Sequence, residues 1–220
     1  MVKINSNGIV EKIRKDAMGY FEGSCPSHDW THVQRVYDLC SYIGKKEGAD
    51  IYVLQLAALL HDTGRKKESA APDRLDHAQI SSEIAMKILK RYSVNGAVAK
   101  QVLHCILSHR FRKEQKPETL EAKILFDADK IDCIGAIGVA RAYAFVGKQN
   151  MRLYPDKKNN KEFLGTGYEK EHSAVTEFAY KLSKVKGRLF TKTAKQIACQ
   201  RHRFMENFFK ELNKDISVNK

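Results

Sequence analysis

Proline is scarce in this chain, at four in 220 residues, and no stretch alternates apolar with polar residues at a period of two. A β-rich architecture is therefore not expected. Long hydrophobic runs are missing too: the longest, Val53 to Leu60, is interrupted by Gln55, well short of the roughly 18 apolar residues a membrane span needs. No membrane partner is expected. The opening stretch MVKINSNGIVEKIRKDAM mixes Lys and Arg with Glu and Asp and has no apolar signal-peptide core, so the expected location is cytoplasmic. The five cysteines, Cys25, Cys40, Cys105, Cys133 and Cys199, contain no Cys-x-x-Cys spacing and are odd in number. A disulfide framework and a zinc-thiolate site are both disfavoured, and the thiols read as reduced and buried in the core.

Apolar residues are not lacking. They make up 43% of the chain, with 10 Phe and 9 Tyr, which excludes disorder over most of the length and allows one large domain or a domain with an added subdomain. Lys and Arg outnumber Asp and Glu by 39 to 26, and from Lys181 to Lys220 eight Lys and three Arg face only Glu206, Glu211 and Asp215. Such a segment suits phosphates, nucleic acid or a solvated helix face.

Apolar spacings of three and four predict an all-α fold. Val33, Val36, Tyr37, Cys40 and Ile43 form one helical stripe closed by Gly48, and Asp50 can cap a helix from Ile51 to His61 that is apolar nearly all round. A helix of that kind belongs in a core. Further helices are predicted from Asp76 or His77 to Tyr92, over Val98 to His109, over Leu120 to Phe145 with a possible break at Gly135 and Gly138, over Ser173 to Lys186 and over Thr191 to Leu212, the last with Phe204, Phe208 and Phe209 in its apolar set. The polar segment Gly147 to Lys170 is too long for a simple connector.

The chemistry-bearing residues are His and Asp at helix positions: His28, Asp29 and His32, then His61-Asp62, His77, His104 and His109, then Asp127, Asp129 and Asp132. An ionised Asp62 at the end of an apolar helix is costly to bury without a cation. Imidazole with carboxylate suits a divalent first-row metal, and a capped helix end accounts for the same dipeptide. Asp127 and Asp129 need cations as well, supplied by Lys130, by a metal, or by both.

Taken in order, HDWTHVQRV (28–36), LAALLHDTGR (56–65) and ILFDADKIDCIGAIGVARAY (124–143) resemble the HD-domain metal-dependent phosphohydrolase superfamily. DHAQISSEIA (76–85) and TAKQIACQRHRFMENFF (193–209) resemble a subgroup of small HD hydrolases that includes nucleoside triphosphate pyrophosphohydrolases. The resemblance implies an HD-domain helical fold with a C-terminal helical extension: a core over 1–147, a loop or lid over 148–170, and helices over 171–220 packed on the core. It further implies that His32, His61, Asp62 and Asp129 bind a divalent ion (Mn, Mg, Co, Ni, Fe or Zn). His77 and His109 would hold a second ion bridged by Asp62, or contact phosphate. Arg65, Lys66 and Lys130 would stabilise charge on phosphate oxygens, and Asp132 or His28 would orient water or relay a proton. The chain has no GYP motif of the cyclic-dinucleotide type, and the basic run Thr63 to Lys67 stands where alarmone hydrolases carry an acidic pair. Alarmone is thus disfavoured as substrate.

The implied activity is cleavage of a nucleoside or deoxynucleoside triphosphate to monophosphate and pyrophosphate. The rival readings are a phosphodiesterase or phosphatase on another small phosphate ester, and a nucleic-acid-binding module with a vestigial HD site, the least favoured. Both a monomer and a dimer are compatible with the sequence.

Overall fold

The computed structural model describes residues 6–25, 28–70, 76–110, 115–155 and 173–217. Among these the fold is all-helical: α1 (Ser6–Met18), α2 (Trp30–Glu47), α3 (Ile51–Leu60), α4 (Arg65–Ala70), α5 (His77–Arg91), α6 (Gly96–Ser108), α7 (Leu120–Asp132), α8 (Gly135–Lys148), α9 (Ala174–Tyr180) and α10 (Lys192–Asp215). No helix among the described residues is long and apolar enough to cross a membrane.

The chain forms two compact units, one of Met1–Asp129 with Phe190–Thr193 and one of Lys130–Leu189 with Ala194–Lys220. The first is built around α3, which packs against α1, α2, α5 and α6. Val53, Leu54, Leu56, Ala57, Ala58, Leu59 and Leu60 are all inaccessible to solvent, as a helix apolar on every side requires. Each of its buried leucines stabilises the fold by about 1.5–3 kcal/mol. Local signals set the helix starts: Asp29, Asp50, Asp76 and Asn95 each accept a backbone N–H of the helix they precede, an interaction worth about 1 kcal/mol apiece. Gly48 ends α2 in the left-handed region, its N–H donating to the Gly44 carbonyl at 2.9 Å.

In the second unit Phe178 stacks on Phe209 with ring centroids 4.5 Å apart, and Arg201 donates to the Ile131 carbonyl at 2.8 Å. Several details differ from the sequence expectations. The break expected within Leu120 to Phe145 falls at Cys133 and Ile134, just before Gly135, and leaves Gly138 inside the second helix, while Ser173 to Lys186 is a short α9 followed by a 3-10 segment, Leu182–Arg188. Lys181, at φ −124° and ψ −58°, leaves helical geometry between them. Phe204 is largely exposed. Only Cys40 and Cys105 are buried, while Cys25 and Cys133 are half-buried and Cys199 is exposed. Residues 156–172, most of the expected lid, lie outside the described residues.

Candidate metal centre

His32 sits in the first turn of α2, placed by Asp29, whose Oδ1 accepts from the N–H of Thr31 at 2.9 Å and of His32 at 3.2 Å. His61 caps the C-terminus of α3, and the chain then turns through Asp62, Thr63 and Gly64. Thr63 Oγ1 donates back to the Leu60 carbonyl at 3.0 Å and the Gly64 N–H donates to Ser81 Oγ at 2.9 Å. A Cβ on Gly64 would stand 2.7 Å from the His77 carbonyl oxygen and 2.8 Å from the Ser81 nitrogen. Only glycine lets this turn lie against the first turn of α5, and that contact brings His77 beside Asp62. His109 follows α6, and Asp129 comes from the last turn of α7.

Six side chains converge in the first unit as two groups. His32, His61 and Asp129 each offer a donor atom within 4.8 Å of the others, and so do Asp62, His77 and His109. All six are buried. Asp62 stands between the groups: Oδ2 lies 3.8 Å from His32 Nε2 and 3.9 Å from His61 Nε2, while Oδ1 lies 3.1 Å from His77 Nε2 and 3.6 Å from His109 Nε2. Asp129 Oδ1 is 3.6 Å from His32 Nε2.

The tautomers follow from the outer hydrogen bonds. Nδ1 of His61 is 2.8 Å from the Ala58 carbonyl, Nδ1 of His109 is 2.6 Å from the Ile106 carbonyl, and Nδ1 of His77 is 2.7 Å from a Glu68 carboxylate oxygen. A carbonyl oxygen can only accept, so Nδ1 of His61 and of His109 carries the proton and their Nε2 atoms turn a lone pair inward, whereas Nδ1 of His77 also meets the Arg110 guanidinium at 3.0 Å. Nε2 of His61 and Oδ1 of Asp62 are buried without a hydrogen bond, and the Nε2 atoms of His77 and His109 face each other at 3.2 Å. A buried imidazole nitrogen and a buried carboxylate oxygen left without donors, as in His61 and Asp62, are costly in the absence of a cation. Ligands of one ion, bound at about 2.1 Å, stand roughly 3–3.5 Å apart, close to the spacings found. The donor set fits divalent metal.

Protonation agrees with that fit. Burial pushes the His61 imidazole down to about 4, against the pull of Asp62, and lowers His77 as well. Both are neutral at neutral pH, as metal ligands must be. Burial would raise the Asp62 carboxyl, but the Arg65 guanidinium beside it holds it well below the ordinary range.

The remaining candidates are placed unequally. Arg65 contacts Asp62 Oδ2 at 3.1 Å, with its side chain 24% exposed. The His28 ring meets that of His32 edge-on, with centroids 5.8 Å apart. Lys66 is exposed and donates to the Glu22 carbonyl at 3.1 Å. In the second unit Lys130 is half-buried, and Asp132 is ion-paired with Arg141. Asp127 accepts from the N–H of Phe190 at 2.9 Å and from the N–H and Oγ1 of Thr191, both at 2.7 Å, donors that its sequence neighbours did not suggest. That clamp anchors the start of α10. The sequence reading missed Glu68 and Arg110, which meet His77 across separations of 9 and 33 residues. Only the acid's place one short helix beyond the His61-Asp62 turn hinted at it. Glu68, Asp76 and His77 also cluster as a possible cation site, but the Arg110 guanidinium already fills it, 2.6 Å from Glu68 and 3.4 Å from Asp76.

Residues 29–134 match the HD domain. YpgQ of Bacillus subtilis (strain 168) is 36% identical over 212 residues, covering 94% of this chain and 93% of that protein. The chain belongs to the HD superfamily. The crystal structure of B. subtilis YpgQ in complex with ADP has a TM-score of 0.72 to it at 31% identity, covering 96% of each chain. An HD-superfamily hydrolase from Bacillus thuringiensis has a TM-score of 0.75 at 27% identity, covering 98% of this chain and 100% of its own. Ribonuclease Y of Chloroflexus aurantiacus is 28% identical over 130 residues, 59% of this chain and 22% of that protein. With these relatives and an intact His/Asp site, the chain is an HD-superfamily hydrolase, and the vestigial-site reading fails.

Proposed function

We propose that this hydrolase cleaves a nucleoside or deoxynucleoside triphosphate to the monophosphate and pyrophosphate. The carrying observation is the pair of buried lone-pair clusters that share Asp62. His32, His61, Asp62 and Asp129 hold one divalent ion in this reading, and Asp62, His77 and His109 hold a second. Manganese is our first choice among the divalent ions for its match to the carboxylate oxygens, and the imidazole nitrogens suit iron, nickel or zinc as well. The bound metal lowers the pKa of water and neutralises charge on phosphoryl oxygens. The substrate class is supported by YpgQ, a full-length relative crystallised with ADP.

The chain's own residues complete the chemistry. Water attacks the α-phosphorus, a new phosphorus–oxygen bond forms, the bond to the bridging oxygen of the β-phosphate breaks, and pyrophosphate leaves. Arg65, beside Asp62 and partly exposed, offers a planar guanidinium to the phosphate oxygens, where charge develops. His28, at the edge of His32, takes up the proton that water releases. Asp132 is given no part, because its carboxylate is committed to Arg141.

Incubating the manganese-loaded protein with each ribo- and deoxyribonucleoside triphosphate, and measuring pyrophosphate and orthophosphate separately, tests this reading. Monophosphate with pyrophosphate supports it, and orthophosphate as first product refutes it in favour of a phosphatase. A second reading, a phosphodiesterase, is favoured by the partial likeness to ribonuclease Y, and would appear as cleavage of RNA oligomers with no pyrophosphate from any triphosphate.

A further inference from the structure

Two opposed groups meet Nδ1 of His77. Oε2 of Glu68, on α4, lies 2.7 Å away, and Nη1 of Arg110 lies 3.0 Å away. A guanidinium can only donate, so Arg110 alone would draw a lone pair onto Nδ1 and leave the proton on Nε2. A carboxylate can only accept and demands the reverse. Arg110 is itself bound to Oε1 of Glu68 at 2.6 Å, and its approach to Asp76 at 3.4 Å helps hold it there. Both carboxylate oxygens of Glu68 therefore face donors, Oε2 the His77 ring nitrogen and Oε1 the Arg110 guanidinium.

We infer that Glu68 is a positioning residue, which fixes His77 as the Nδ1–H tautomer against the competing guanidinium of Arg110. Nε2 of His77 then presents a lone pair beside Asp62 Oδ1, at 3.1 Å, and His109 Nε2, at 3.2 Å. The consequence for metal rests on the two-ion reading above: occupancy of the second subsite depends on Glu68, although Glu68 does not touch the ion.

The isosteric substitution makes the inference sharp. In Glu68→Gln, Arg110 claims the single amide oxygen, so the NH2 group faces His77 and donates to Nδ1. The tautomer should invert with almost no change of volume. Removing the arginine as well frees the glutamine to rotate and return its oxygen to Nδ1–H. The experiment compares wild type, Glu68→Gln, Arg110→Met and the double variant, each checked for folding by far-UV circular dichroism. Histidine nitrogen-15 chemical shifts of the metal-free proteins read the tautomer, and manganese content after reconstitution is measured alongside. We expect Nδ1–H in wild type and Arg110→Met, Nε2–H in Glu68→Gln, and Nδ1–H again in the double variant. Glu68→Gln should bind its second manganese about 10–100-fold more weakly, while Arg110→Met keeps it. An Nε2–H wild type, an unchanged tautomer in Glu68→Gln, or undiminished binding of a second manganese by that variant overturns the inference. A wild type that binds one manganese refutes the two-ion reading instead, and the tautomer series then decides the role of Glu68 alone.

Discussion

Asp127 and Asp129 are two residues apart on one apolar helix and are both buried, yet their carboxylates do different work. Asp127 satisfies three donors at the start of α10, whereas Asp129 joins His32 and His61. Asparagine at each position should separate the roles. Asp127→Asn sets an amide NH2 against a backbone N–H and should cost about 1–3 kcal/mol of stability, with metal content unchanged. Asp129→Asn keeps the shape but removes the charge, and should lower metal affinity by more than the roughly 10–100-fold lost with outer groups. Denaturant titration and elemental analysis of both variants decide this, and metal loss in Asp127→Asn would reverse the assignment. Acid should act at this scale too. His61 is buried with its folded value lowered to about 4, so as pH falls below about 6.5 the unfolded chain takes up the proton first. Its contribution to stability is complete above that value and is lost progressively down to about 4, by at most about 3 kcal/mol. Urea midpoints of the metal-free protein that stay level between those two pH values would contradict this.

At the scale of elements, the His61-Asp62 turn works because it lies flat on α5. Gly64→Ala would drive a methyl group into the backbone of His77 and Ser81, with neither able to yield as a flexible side chain would. The variant should lose about 1–3 kcal/mol and, because the collision falls between Asp62 and His77, lose metal more completely than that figure suggests. Thermal midpoint and metal content measured together test it, and full metal content would show that the turn relaxes without disturbing the site. The sequence made α2, α3 and α5 legible, since a capping Asp precedes each and apolar residues repeat at helical spacing. It hid α4, because RKKESA has no apolar stripe to distinguish it from a polar loop. The resemblance singled out His32, His61, Asp62 and Asp129, and the fold sets the four close together. Glu68 and Arg110 were not, since each acquires meaning only from what the folded chain sets beside His77.

At the scale of the whole molecule the chain carries a formal charge of +13, and a nucleoside triphosphate is a polyanion. A field of one sign raises the encounter rate with a ligand of the other and leaves the chemical step alone. Ionic strength therefore separates attraction from catalysis. The screening length shrinks from about 30 Å at about 0.01 M salt to about 3 Å at about 1 M, so added salt should remove the long-range pull while contacts inside the buried centre persist. KM for a triphosphate should rise steeply over that range, kcat should hold nearly constant, and a diphosphate or monophosphate ester, carrying less charge, should show a shallower rise. Steady-state kinetics across a salt series give the three slopes. Equal slopes for substrates of unequal charge would mean that the positive excess serves some other partner, and a fall in kcat with constant KM would place the salt effect inside the metal centre.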